Sequence, residues 1–80
     1  MSSIKSWSHW TPEGAFKITP KVLATSWFYE LSLGDRPLAT YDYAFTAAGS
    51  IGAGEHDSTI GAKGASLNVP DDPAKWNGFT

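Results

Sequence analysis

The sequence predicts a small all-β domain of about five short antiparallel strands, closed as a sandwich or open barrel, with one short C-terminal helical turn. Three observations carry that expectation. Apolar and polar residues alternate with a period of two over residues 14–19 and 38–47, as half-buried strands require. A turn cluster, Gly34-Asp35-Arg36-Pro37, separates two apolar runs, which is hairpin grammar. Aromatic content is high, with four Trp, three Tyr and four Phe in 80 residues, and such side chains suit a pleated, half-buried surface.

The elements follow in chain order. Trp7-Ser8-His9-Trp10 places two indoles three residues apart; in a regular strand that odd spacing sends them to opposite faces. In Gly14-Ala15-Phe16-Lys17-Ile18-Thr19-Pro20, Phe16 and Ile18 share one face, and Ala15, Lys17 and Thr19 the other. Pro20 should end this strand or mark an edge. Residues 21–33 admit two readings. As a helix, Thr19 caps, Pro20 takes the first position, Gly34 terminates, and Leu23, Trp27 and Leu31 stack. As a strand, Leu23, Thr25, Trp27, Tyr29, Leu31 and Leu33 share a face. Aromatic content and the following turn favour the strand, paired as a hairpin with residues 38–47. That pairing puts Trp27 and Tyr43 on buried faces. Residues 57–62 and 65–69 read as two further short strands. Asp72-Pro73 through Gly78 reads as one helical turn, with Asp72 as N-cap, Pro73 at the first position and Gly78 closing it.

Eighty residues imply one domain spanning 1–80, of a size at which folding hides only about 60–65% of the unfolded chain's surface. Cysteine is absent, so neither disulfides nor thiolate chemistry contributes. The formal charge is −2 and the six Lys and Arg are scattered, unlike the basic patch of a nucleic-acid binder. No apolar run reaches the roughly 18 residues of a membrane span, and the first ten residues lack a signal-peptide core. A cytoplasmic protein is expected.

Two constellations could carry function. Ile51-Gly52-Ala53 returns as Ile60-Gly61-Ala62, and Glu55, His56 and Asp57 lie between the copies. Carboxylates beside an imidazole are metal-ligand and acid–base chemistry. The nonapeptide spacing departs from that of calcium-binding β-rolls, and two units are too few for a solenoid. Consecutive residues of an extended segment also point to opposite faces. Glu55, His56 and Asp57 are therefore expected as a solvated polar turn, with no metal or cofactor. No nucleophile elbow or phosphate loop occurs, and so short a chain has little room for a water-excluding cleft. An enzyme is not expected.

The second constellation is aromatic: Trp7, Trp10, Trp76 and Phe79. An exposed ring is a common centre of protein contacts. The leading expectation is thus a non-enzymatic interaction module, recognising a protein partner or a second copy through aromatic surface or a hairpin edge. One alternative is carbohydrate binding, with Trp7, Trp10 or Trp76 as a stacking platform and Asn68, Asp71 or Asp72 accepting hydroxyl hydrogen bonds; the other is a metal-dependent site at the Gly-rich loop, on Glu55, His56 and Asp57.

Overall fold

The computed structural model describes residues 6–76 and the backbone of residues 78–79. The fold is small and β-rich, built on one antiparallel sheet. Strands β1 (Trp7–Thr11), β2 (Gly14–Leu23), β3 (Ser26–Leu33) and β4 (Arg36–Tyr41) form a meander, and β5 (Gly78–Phe79) returns to pair with β1. The spatial order is β4-β3-β2-β1-β5. Each meander turn has two residues between paired positions: Thr11 with Gly14, Leu23 with Ser26, and Leu33 with Arg36. Gly34 opens the last of these turns at φ 59°, a conformation that glycine adopts without a Cβ clash. Ala24 holds a similar φ of 57° in the β2–β3 turn.

The strand reading of residues 21–33 holds over the helical one, but the segment is not one strand: it ends β2 at Leu23, turns at Ala24-Thr25 and resumes as β3 at Ser26, which puts Leu23 and Trp27 on opposite faces. The hairpin assigned from alternation exists as β3–β4, with Tyr29 opposite Tyr41. Pro20 does not end β2. The described pairing with β1 stops at Trp7 and Ile18, so Pro20 lies past it, where a missing N–H interrupts no described ladder with β1.

The expected all-β class is what the structure shows, a small fold on one antiparallel sheet with short helical turns; the layer that covers the sheet is helical rather than the second sheet of a sandwich. Helix α1 (Ala44–Gly52), the short α2 (Asp57–Ile60) and 3-10 turns at Gly64–Leu67 and Pro73–Lys75 occupy the chain after β4. The strand expected over 38–47 stops at Tyr41, and those expected at 57–62 and 65–69 are absent. The physical reason lies in small residues. Ala44, Ala47, Ala48 and Ile51 are spaced i, i+3, i+4, i+7, a helical stripe, and Ala is the strongest helix former. Ala47, Ala48 and Ile51 are buried against Phe16, Ile18 and Leu31, which lie on one sheet face. Small side chains let the helix lie close to that sheet.

The near-repeat marks two helix ends. Ile51 sits in the last turn of α1 and Ile60 ends α2; both are buried, and each is followed by Gly-Ala as the chain leaves. Gly61 takes the left-handed cap of α2 at φ 81°, the usual role of glycine there. Gly64 meets a different demand, since a Cβ at that position would collide with the Ile51 carbonyl at the end of α1. The C-terminal turn is as expected: the Asp72 carboxylate accepts from the Ala74 amide at 3.0 Å, with Pro73 at the first position. Gly78, expected to close it, belongs to β5 instead.

Candidate functional site

The sheet is longer than the layer covering it. Along the inner face of β2 and β3 the paired rows are Phe16 with Leu33, Ile18 with Leu31, Pro20 with Tyr29, and Val22 with Trp27. Phe16, Ile18 and Leu31 are fully buried, Pro20 and Tyr29 half-buried, and Val22 and Trp27 are 51% and 57% exposed. The hairpin thus projects beyond the helices, in a molecule with extents of 38 × 22 × 20 Å. Leu23 at its tip is 71% exposed. At the start of α1, Tyr43 and Phe45 stack with centroids 5.5 Å apart and planes 21° apart, 60% and 62% exposed. Tyr43 and Phe28 line one shallow depression with Thr40 and Thr46. Five exposed large apolar residues thus belong to the hairpin arm and the adjoining helix start.

The expectation that Trp27 and Tyr43 are buried is overturned. Trp27 lies on the inner face, as alternation requires, but beyond the reach of the helices. Tyr43 has already left the strand and precedes α1. Sequence alternation identifies a face; it does not say how far along the strand that face is covered. The available signal was length: ten residues of β2 extend about 33 Å at the usual strand rise, whereas nine residues of α1 extend about 13 Å.

The four aromatic candidates separate. Trp7 is half-buried on the inner face, 6.2 Å from the Tyr29 ring. Trp10 is 73% exposed and lies on the outer face, as the odd spacing requires. Beside it a shallow groove is lined by Ser8, Lys17 and Asp35. Trp76 is buried: it packs on the His9 ring at 5.9 Å and donates from Nε1 to the Pro70 carbonyl at 2.8 Å. It offers no stacking surface. The backbone of Phe79 pairs with Trp7 in β5, and its side chain lies outside the described residues. Asn68, Asp71 and Asp72 are exposed.

Of Glu55, His56 and Asp57, expected as a solvated polar turn, Glu55 is exposed in a turn, whereas Asp57 is half-buried at the start of α2. His56 is buried. Its Nε2 lies 2.8 Å from the Tyr41 hydroxyl and 3.2 Å from Ser50 Oγ. Ser50 donates to the Ala47 carbonyl at 2.7 Å, and Tyr41 donates to Glu55 Oε1 at 3.1 Å. Each hydroxyl has one proton, so both must accept from His56, which fixes the proton on Nε2. The resulting chain runs from His56 through Tyr41 to the Glu55 carboxylate. Burial raises the Tyr41 pKa; the Ser50 hydrogen bond, next in size, lowers it, and the Glu55 hydrogen bond and charge raise it again, leaving it above the usual value. Tyr41 thus stays a neutral donor at neutral pH. Asp57 turns away: its Oδ1 accepts from the Gly64 amide at 2.7 Å, which holds the loop against α1. No group of three His, Cys, Asp or Glu able to hold a metal ion occurs among the described residues.

The polar cluster therefore ties β4, α1 and the loop after α1 together, with its donors already partnered inside the protein. The aromatic arm has the opposite character, apolar and accessible. No helix among the described residues is long and apolar enough to cross a membrane. No protein-family model matches the chain, and no curated protein or solved structure shows significant similarity to it.

Proposed function

We propose that the protein is a non-enzymatic interaction module, an accessory, inhibitor or assembly subunit, that recognises a protein partner through the apolar arm formed by β2, β3 and the start of α1. The observation that carries the reading is the exposure of Val22, Leu23, Trp27, Tyr43 and Phe45 at one end of the fold. Contiguous exposed apolar surface of this kind marks interaction sites, and large rings dominate the energetics of such contacts. The internal pairing of His56, Tyr41, Glu55 and Ser50 supports a structural rather than a catalytic role for that cluster.

The test is a photo-crosslinking residue, Trp27→p-benzoylphenylalanine, compared with the same substitution at the exposed Glu13. Irradiation of the purified protein and of an extract of its host should give adducts from position 27 and few from position 13. No position-27 adduct in either setting overturns the reading.

A second reading has its own observation. Trp10 is exposed beside Ser8, Lys17 and Asp35, an indole face next to hydroxyl-binding groups, as a carbohydrate site would need. Saturable quenching of Trp fluorescence by a sugar, lost in Trp10→Ala, would support it; an unchanged response in that variant would remove it.

A further inference from the structure

We infer that the occupant of the apolar arm is a second copy of this chain, bound about a two-fold axis near Trp27; this rests on the reading of the arm as an interaction surface. The first ground is continuity. The arm's inner face is the same sheet face that α1 covers lower down, where Phe16, Ile18 and Leu31 are fully buried. Another apolar layer on Val22 and Trp27 would continue that core.

The second ground is charge. Val22, Trp27, Tyr43 and Phe45, with Pro20 and Tyr29 beside them, include no ionisable side chain except the two Tyr hydroxyls. On the arm itself Lys21 and Glu30 alternate onto the outer face and pair with each other at 4.0 Å; Asp42, exposed next to Tyr43, lies at the rim in the depression that Phe28 and Tyr43 line. A partner chosen by opposite charge finds nothing to read at the centre of the patch. A two-fold contact needs only that one patch match itself, and an uncharged apolar patch does so without placing like charges together. Homodimer interfaces are also more apolar than those between partners that come and go.

The third ground is area. Three rings about 60% exposed, each with roughly 150–250 Å² of surface, give roughly 270–450 Å². That is about a third to a half of the ~800 Å² that each partner buries in a stable interface. Val22, Pro20 and the backbone of the arm add to it; Leu23, at the tip, lies on the outer face with Lys21. A domain of this size commonly draws stability from association. Trp10, at the opposite end of β1 and β2 from the arm, takes no part.

The experiment is sedimentation equilibrium with light scattering from about 1 to about 200 μM, a range over which a reversible dimer shifts by mass action. The wild-type mass should rise from 8.6 kDa towards twice that value. Trp27→Asp and, independently, Phe45→Ser should remain at single-chain mass while keeping the wild-type far-UV spectrum. Loss of one central ring should raise the dissociation constant at least about 30-fold, the equivalent of the usual hot-spot threshold. Trp10→Ser should associate as the wild type does. A wild type that stays monomeric at the highest concentration overturns the inference, as does a folded Trp27→Asp that dimerises normally. If the wild type is monomeric yet position 27 crosslinks in host extract to another protein, self-association fails and the interaction reading stands. If neither occurs, both fail.

Discussion

At the scale of single residues, the buried polar groups are satisfied by a few directed bonds, and Tyr41 stands at their centre. It accepts from His56 and donates to Glu55. Tyr41→Phe removes both bonds and leaves the buried His56 with only Ser50 beside it. A loss of about 1–3 kcal/mol is expected, the cost of stranding a buried donor, measurable by urea unfolding. The raised Tyr41 pKa also has a sign. A tyrosine that holds its proton more tightly when folded stabilises the fold below the unfolded value of 10.0, and that contribution is lost as pH rises through the folded value. Stability should therefore fall above about pH 10, and Tyr41→Phe should show a smaller alkaline decline. A decline equally steep in the variant would refute the assignment. His9 is the opposite case: its Nδ1 is buried with no hydrogen-bond partner among the described residues. His9→Phe keeps a ring against Trp76 and removes that atom, so unfolding experiments should show unchanged or higher stability, by up to about 1 kcal/mol.

At the scale of elements, the arm and the body of the β2–β3 hairpin should respond differently to truncation. Leu31→Ala opens a hole in the core and should cost about 2–5 kcal/mol. Trp27→Ala, on the same face of the same strand, should cost less than about 1 kcal/mol in the monomer, as for exposed positions. Equal losses at low protein concentration would show that the arm is covered within one chain. Gly64→Ala drives a Cβ into the Ile51 carbonyl; overpacking of this kind should cost about 1–3 kcal/mol, with the Asp57 bond to the Gly64 amide disturbed as well. Normal melting of that variant would show that the loop can shift. These elements also explain what the sequence could disclose. The β3–β4 hairpin was legible because large residues alternate on both sides of the Gly34–Pro37 turn; the β2–β3 hairpin was not, because its turn residues, Ala24 and Thr25, carry no turn signal. Nor was helix α1, because its buried stripe is mostly alanine while Phe45, its largest side chain, and Tyr43 just before it are exposed. Reading hydrophobicity by size follows the wrong residues there and prolongs the strand. The polar cluster was misread for a related reason: His56 is covered by Tyr41 of β4, 15 residues back, and by Ser50 of the helix that the sequence did not disclose.

At the scale of the whole molecule, neither layer suffices alone. The meander exposes Phe16, Ile18 and Leu31 until the segment after β4 covers them. A peptide ending at Tyr41 should therefore show no cooperative melting, because strands with one uncovered apolar face are marginal in water; a sharp transition would show that the meander is autonomous. Strand order has a kinetic consequence. The three hairpins join neighbours in the chain, whereas Trp7 finds Phe79 only by closing nearly the full length of it. Loop closure costs more entropy as the loop lengthens, and local pairings form sooner. The β1–β5 clasp should thus form after the rate-limiting step. Deleting residues 78–79 should hasten unfolding and leave the refolding rate nearly unchanged, whereas weakening the β2–β3 hairpin should slow refolding. The last strand would then act as a latch, governing how long the folded state lasts rather than how quickly it is reached.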